Sequence, residues 1–390
     1  MTSQPLDASP PADLVTLADL PLRDYAPVPA VRRHETHVAR PLVPAIDVHN
    51  HLGRWLSDHG TWLAPDLSVL CDLMDEVGVA SMVNLDGRWG NELAANIERY
   101  DDRHPDRFFT FCHLDWTALR QPNPTDALIS SLRRSRAAGA RGLKVWKDLG
   151  LTVTDEHGRL VLPDDPRLVD VFRAAGELGL PVLIHTADPV AFFAPLDERN
   201  ERLEELVANP SWWFGAPGYP TFDRLMEALE AVVASASDTT FIGAHVGCAA
   251  EDLDWVGRML TTYPNFHIDI GGRLGELGRQ PRATRRLIVE HPDRVVFGSD
   301  SFPPSREAYW TYWRFLETED ECFPYAPGCP VPPQGRWDIA AIGLPPDVLR
   351  QIYAGNARRV LGLAGIGSVG QQRHRQTLVA AEQDGAGDGG

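Results

Sequence analysis

Six ionisable residues stand at the carboxyl ends of apolar, strand-like segments: His49 and His51 in AIDVHNH, Lys144 in RGLKVW, His185 in PVLIHTADP, His245 in FIGAHVG and Asp300 in VVFGSD. Imidazoles and carboxylates ligate divalent ions, and apolar strands that end one after another in such groups predict a metal at the mouth of a parallel barrel. In HxH the two rings fall on the same side of a strand and can reach one ion. Asp300 could ligate that ion and take the proton of a bound water; its competing role is to cap a helix beginning near Pro303. His185 or His245 alone reads as a hydrogen-bonded core histidine. Their shared register with HxH and Asp300 makes them candidate ligands. A barrel-facing Lys144 is costly to bury unless paired. Three roles are open to it: a carboxylated bridge between two ions, a salt-bridged lysine, or a binder of a substrate carboxylate.

These groups need strands to carry them. Strand-like runs recur at 45–49, 79–85, 107–115, 141–147, 180–185, 240–245, 265–270 and 294–300. Between and after them lie segments with apolar residues at three-and-four spacing, which predict helices over 66–78, 91–105, 126–140, 166–179, 222–236, 251–264, 282–292 and 345–363. Strict alternation requires crossover connections and hence a parallel sheet; eight units predict a closed (β/α)8 TIM barrel. An open doubly wound sheet is the competing architecture, but no Gly-rich nucleotide fingerprint follows the first strand. Residues 1–44 are proline-rich and read as an irregular N-terminal arm, 45–364 as the barrel, and 365–390 as a flexible tail.

Long loops follow strands 5 and 8, from Asp188 to Tyr219 and from Ser301 to Leu344. The first carries Trp212, Trp213 and Phe214, the second Tyr309, Trp310, Trp313, Phe323 and Trp337. Such loops sit at the catalytic face of a barrel, so together they are expected to roof a pocket. Arg273, in DIGGRLGELGR, has the forked geometry to clamp a substrate carboxylate; a salt bridge to loop acids is the alternative. Trp89 and Trp212 are the aromatic candidates for substrate contact. Arg54, His113, Asp115, Lys147, Asp148 and Asp188 are further polar candidates. The remaining histidines, His34, His37, His59, His104, His157, His267, His291 and His374, lie off the strand-end register and receive no role.

Composition narrows the partners. A formal charge of -17 over 390 residues lacks the basic footprint that nucleic acid or an anionic membrane requires. Five scattered cysteines without CxxC spacing suggest reduced thiols in a cytoplasm rather than a disulfide framework. The N-terminus lacks the basic start and apolar run of a signal peptide, and no segment reaches the ~20 apolar residues of a membrane span. A small molecule is therefore the expected partner, and the arm and tryptophans are compatible with a homodimer.

The motifs IDVHNH, IHTADP, GAHVG and FGSDSFPP, with the closing helix LPPDVLRQIYAGNARRVL, resemble the amidohydrolase superfamily. Within it they are similar to the amidohydrolase-related (amidohydrolase 2) group, from about Ile46 to Leu363. The resemblance implies a barrel with Zn2+ or a similar divalent ion such as Mn2+, ligated by His49, His51, His185 and Asp300. His245 would be a ligand of a second ion or an acid/base beside a single one. GLKVW is similar to the strand of binuclear members whose carboxylated lysine bridges two ions, the position of Lys144. The group contains hydrolases of amides, lactones and related bonds as well as non-oxidative decarboxylases. The expected function is hydrolysis by a metal-activated water, with Asp300 and His245 catalytic. Decarboxylation of an aromatic or enoic acid is the alternative, followed by a barrel that binds a ligand without turnover.

Overall fold

A computed structural model describes residues 19–363, except 22, 23, 26, 29 and 58. The expected tail at 365–390, His374 and the first part of the expected arm lie outside the described residues. Eight parallel strands pair in sequence order: β1 (Ala45–Asn50), β2 (Val79–Asn84), β3 (Phe108–Cys112), β4 (Gly142–Val145), β5 (Val182–Ile184), β6 (Phe241–Gly243), β7 (Phe266–Asp269) and β8 (Val295–Val296). The ring closes through Val48 N–H to Phe297 O at 2.9 Å and Asp300 N–H to His49 O at 2.9 Å. This is the (β/α)8 barrel, and no described helix is long and apolar enough to cross a membrane.

The helices begin where their sequences supply caps. Asp66, Asp165, Thr221, Asp252 and Ser305 each accept a first-turn N–H with a side-chain oxygen, satisfying donors that have no intrahelical partner. Their apolar faces pack on the outward-facing strand residues, such as Leu143, Val145, Val182, Ile184, Phe266 and Ile268. The inward-facing residues Ile46, Val83, Phe109, Leu183, Ile242 and Val296 form a separate cluster, plugged by Ala354, Ala357, Leu361 and Leu363 from the C-terminal helical segment. That segment is interrupted by a π-helical turn at Gln351–Gly355, and the Ile352 carbonyl accepts the N–H of Phe297 at 3.0 Å.

Two local departures bear on the site. The stretch after β8, read from the sequence as loop, contains the helix Arg306–Glu317. Its Tyr309 and Trp313 are buried against Phe297, so these aromatics brace the barrel wall rather than roof the mouth. An aromatic-rich run hid a helical period that Tyr309, Tyr312, Trp313 and Leu316 obey. The second departure lies in β1. Ile46 and Val48 face the barrel interior, so simple alternation would send His49 outward with Asp47. A register shift between Asp47 and Asn50 re-aims the chain, as bulges beside active sites do.

Candidate metal centre and its surroundings

The polar residues stand at or near the carboxyl ends of their strands, Lys144 one residue before the last pair of its ladder. His49 Nδ1 donates to Asp269 Oδ2 at 2.9 Å, and His51 Nδ1 donates to Asp86 Oδ1 at 2.7 Å. An ionised carboxylate only accepts, so both rings carry their proton on Nδ1 and turn the Nε2 lone pair inward. The two Nε2 atoms lie 3.7 and 3.6 Å from Asp300 Oδ1. A tetrahedral ion with bonds of about 2.0–2.2 Å separates its ligands by roughly 3.4 Å, so this trio fits a divalent ion with little adjustment. His49 Nε2 is buried with no hydrogen-bond partner among the described residues. Neither ring nitrogen of His185 has a close hydrogen-bond partner among the described residues; its Nε2 stands 3.4 Å from Asp188 Oδ1 and its ring 4.5 Å from that of His245.

Buried carboxylates hold this geometry. Asp269 Oδ1 also accepts the backbone N–H groups of His245 at 3.0 Å and Gly271 at 2.9 Å. Burial works against its charge, but His49 and these hydrogen bonds prevail and keep its carboxyl below the usual range. Asp86 behaves alike: burial opposes its charge, while His51 and the Trp55 indole hold it ionised. Asp47 sits one layer further out, where it accepts from Ser299 Oγ and Tyr309 Oη; there burial dominates and raises its pKa. Gly298 lets the strands close in, since a Cβ there would lie 2.9 Å from that of His49.

His245 and Asp300 occupy left-handed backbone, at φ +57° and +53°. Such conformations cost of order 1–3 kcal/mol each in a non-glycine residue and persist where surrounding structure imposes them. The His245 ring donates from Nδ1 to the Gly271 carbonyl at 2.7 Å, leaving Nε2 as its acceptor. Burial, with Arg273 and neighbouring imidazoles, drives its pKa well below the ordinary value, so the ring is neutral at pH 7. Burial also depresses His185 to about 3 and His113 to about 4. Asp300 keeps 26% of its side chain exposed, so it can meet a substrate from the mouth.

Lys144 points into the barrel with 1% of its surface exposed, and its Nζ has no hydrogen-bond partner among the described residues. Desolvation lowers it to about 8, against the pull of Asp269, Asp300 and other acids. Arg273 is buried; its Nη1 donates to the Gly272 carbonyl, and its charge faces Glu276, Glu251 and Asp188. Trp89 stacks under the Arg88 guanidinium at 4.2 Å. Trp212 is 40% exposed at the rim, stacked on Phe192 and 5.7 Å from Lys147 Nζ. Lys147 pairs with Asp188 at 2.5 Å. Arg54 pairs with Glu92, away from the imidazoles.

A family model described as amidohydrolase matches residues 46–363. The chain belongs to the amidohydrolase family. Among solved structures, this amidohydrolase resembles the uncharacterized TIM-barrel protein Bb4693 of Bordetella bronchiseptica, with a TM-score of 0.51 at 15% identity over 82% of this chain and 99% of that one. It also resembles a 2,6-dihydroxybenzoate decarboxylase from Rhizobium, with a TM-score of 0.50 at 18% identity over 83% and 100%. A structure of 2,6-dihydroxybenzoate decarboxylase complexed with 2,6-dihydroxybenzoate gives 0.51 at 17%, over 82% and 99%. At these identities the likeness is one of fold. No curated protein sequence matches.

The structure of the amidohydrolase brings His49, His51, His185, His245 and Asp300 into one cluster of rings and carboxylate. Sequence reasoning passed over Asp86, Asp269, Trp146 and Arg88. The acids had a legible signal, a lone aspartate closing an apolar strand in VNLD and HID. Trp146 had none: only the fold sets its ring 5.2 Å from His51 and 5.6 Å from His185.

Proposed function

We propose that this amidohydrolase is a metal-dependent hydrolase acting on an amide, lactone or related carbonyl-type bond of a small organic substrate. The observation that carries the reading is the pair of Nε2 atoms about Asp300 Oδ1, each ring fixed from behind by a buried carboxylate. His49, His51 and Asp300 would hold one divalent ion, Zn2+ or Mn2+, with the unpartnered His185 as fourth donor. When bound, such an ion lowers the pKa of a coordinated water toward neutrality and polarises a carbonyl oxygen.

The chain's own groups do the rest. Asp300, exposed at the mouth, receives the proton of the attacking water on its outer oxygen and returns it to the leaving group. His245, neutral and anchored on the Gly271 carbonyl, offers Nε2 as a second proton acceptor. Asp269 and Asp86 keep the two first-strand imidazoles in one tautomer. Lys144, in this reading, remains a free cation rather than a bridge.

Non-oxidative decarboxylation of an aromatic or enoic acid is the second reading. What favours it is the unpaired, buried Lys144 ammonium beside the imidazoles, which could receive a carboxylate.

Elemental mass spectrometry of protein purified without chelator, set against a His49→Ala/His51→Ala variant, tests the proposal. The expected result is about one ion per chain, lost in the variant, and an Asp300→Asn protein that folds but loses at least 10²–10⁴-fold in kcat on lactone and amide panels. Carbon dioxide release from aromatic acids instead selects the second reading. A metal-free wild type under several supplementation conditions, or near-wild-type rates in Asp300→Asn, would overturn the site.

A further inference from the structure

Of the cavities around the barrel mouth, three differ in the charge of their linings, and a fourth, of about 480 Å³ and lined by Arg54, Trp55, Arg88, Trp89 and Glu92, adjoins the last of them through Arg88 and Trp89. One of about 490 Å³ holds Glu201, Glu251 and Glu276 against Arg199 and Arg279. One of about 230 Å³ beside Asp300 is bounded by Leu274, Tyr312, Tyr325, Ala326 and Pro333, with no cation in its wall. The third, about 260 Å³, has Lys144 and Trp146 on one side and Arg88, Trp89, His113 and Trp116 on the other. It is smaller than the ~300 Å³ at which pockets for drug-sized ligands begin.

Two cations of this third cavity make no salt bridge among the described residues. Lys144 Nζ is buried with no hydrogen-bond partner among the described residues. The Arg88 guanidinium makes no ion pair or hydrogen bond among the described residues; it is held between the Trp55 and Trp89 rings, at 4.8 and 4.2 Å. Its backbone is left-handed at φ +56°, and that carbonyl accepts the N–H of His113 at 2.8 Å, so the strained turn is what places the side chain. The competing charges are accounted for. Asp115 is occupied in capping Thr117, and Asp148 accepts from Leu149 N–H while facing Arg88 across the cavity. Arg120, at the edge, donates to Thr154 Oγ1. His113 donates to the Leu85 carbonyl and is neutral. A forked, stacked guanidinium and a buried ammonium are the groups that recognise a carboxylate, and the indole walls select a flat body. Trp146 joins this cavity to the ligand cluster, since its ring touches both His51 and His185.

We propose that this cavity is the carboxylate subsite of the amidohydrolase, and that the substrate is a small, flat organic acid. Its anionic end sits between Arg88 and Lys144, and its reacting bond is presented across Trp146 to Asp300. The proposal rests on the metal-dependent reading above and names the substrate class for that site. It assigns carboxylate recognition to Arg88 rather than to Arg273, whose charge is already met by Glu251, Glu276 and Asp188.

The test is a calorimetric titration of metal-loaded protein with benzoate and with its neutral isostere benzamide, the metal content being read on the same samples. Wild type should bind benzoate at least tenfold more tightly than benzamide. Arg88→Gln should weaken benzoate about tenfold and leave benzamide unchanged. Asp148→Asn, which removes an opposing carboxylate, should tighten benzoate by a few-fold. Opposite shifts from two residues of one cavity are not what a general structural lesion produces. Equal binding of the two probes to metal-loaded wild type overturns the acid subsite while leaving the hydrolase reading intact. So does benzoate binding that ignores both substitutions, which would place the carboxylate elsewhere. Two ions per chain with a carboxylated Lys144 would also overturn it, by removing the ammonium from the cavity. Absence of any ion from wild type overturns the underlying reading instead.

Discussion

The two ends of the barrel interior are built from the same strands to opposite specifications. At the floor, Ile46, Val83, Phe109, Leu183, Ile242 and Val296 interdigitate with Ala354, Ala357 and Leu361. At the mouth, towards the carboxyl ends of the barrel strands, the interior holds His49, His51, Lys144, His185 and Asp269, all buried. The floor gains free energy by removing apolar surface from water. The mouth gives some up, through desolvated imidazoles, an unpaired ammonium and left-handed backbone at His245 and Asp300. The rigid floor lets the mouth carry that cost in a fixed geometry. Polar burial is thus placed where a rigid floor supports it, not where the barrel is most stable.

Mutations can break this division. Leu183→Ala, at the floor, should cost about 2–5 kcal/mol in denaturant unfolding while the folded protein keeps its metal stoichiometry. A loss of metal in proportion to stability would show that the two ends are not separable. Asp269→Asn, at the mouth, should do the reverse. Metal affinity should fall about 10–100-fold in a chelator competition, with a smaller change in unfolding free energy. Were Asp269 only a strand-end packing residue, affinity would not move.

His267 gives the finest test, because it faces the interior two residues before Asp269, on the floor side. Burial, with Arg294 and Arg359 nearby, lowers it from 6.5 to about 4. The unfolded chain therefore takes up a proton near pH 6.5 that the folded chain refuses until about pH 4. The stability tied to this group is complete above pH 6.5 and is lost progressively as pH falls towards 4. His267→Leu should make the decline in Tm between those limits shallower by about 2–4 °C and leave metal content unchanged. An unaltered slope would assign the acid sensitivity to the mouth histidines instead.

Much of this was legible in one dimension. Alternating strands and amphipathic helices imply the barrel because parallel neighbours need crossovers, and IDVHNH, IHTADP, GAHVG and FGSD mark strand ends by placing ionisable groups after apolar runs. The eighth crossover was harder, since REAYWTYWRFLE spends its helical face on aromatics that also suit a loop. Both HxH rings turn Nε2 towards Asp300 through a register shift in β1 rather than through plain alternation.

The sequence by itself determined which residues could ligate or transfer protons and that eight strands would present them at one end, because residue chemistry and hydrophobic period are local properties. Only the tertiary structure decided which carboxylate stands behind each imidazole, that Asp269 on β7 serves His49 on β1, and that Arg88, Trp146 and Lys144 share one cavity. Those pairings join residues up to 220 positions apart. They depend on barrel closure and on backbone conformations at Arg88, His245 and Asp300 that no local preference of those residues specifies.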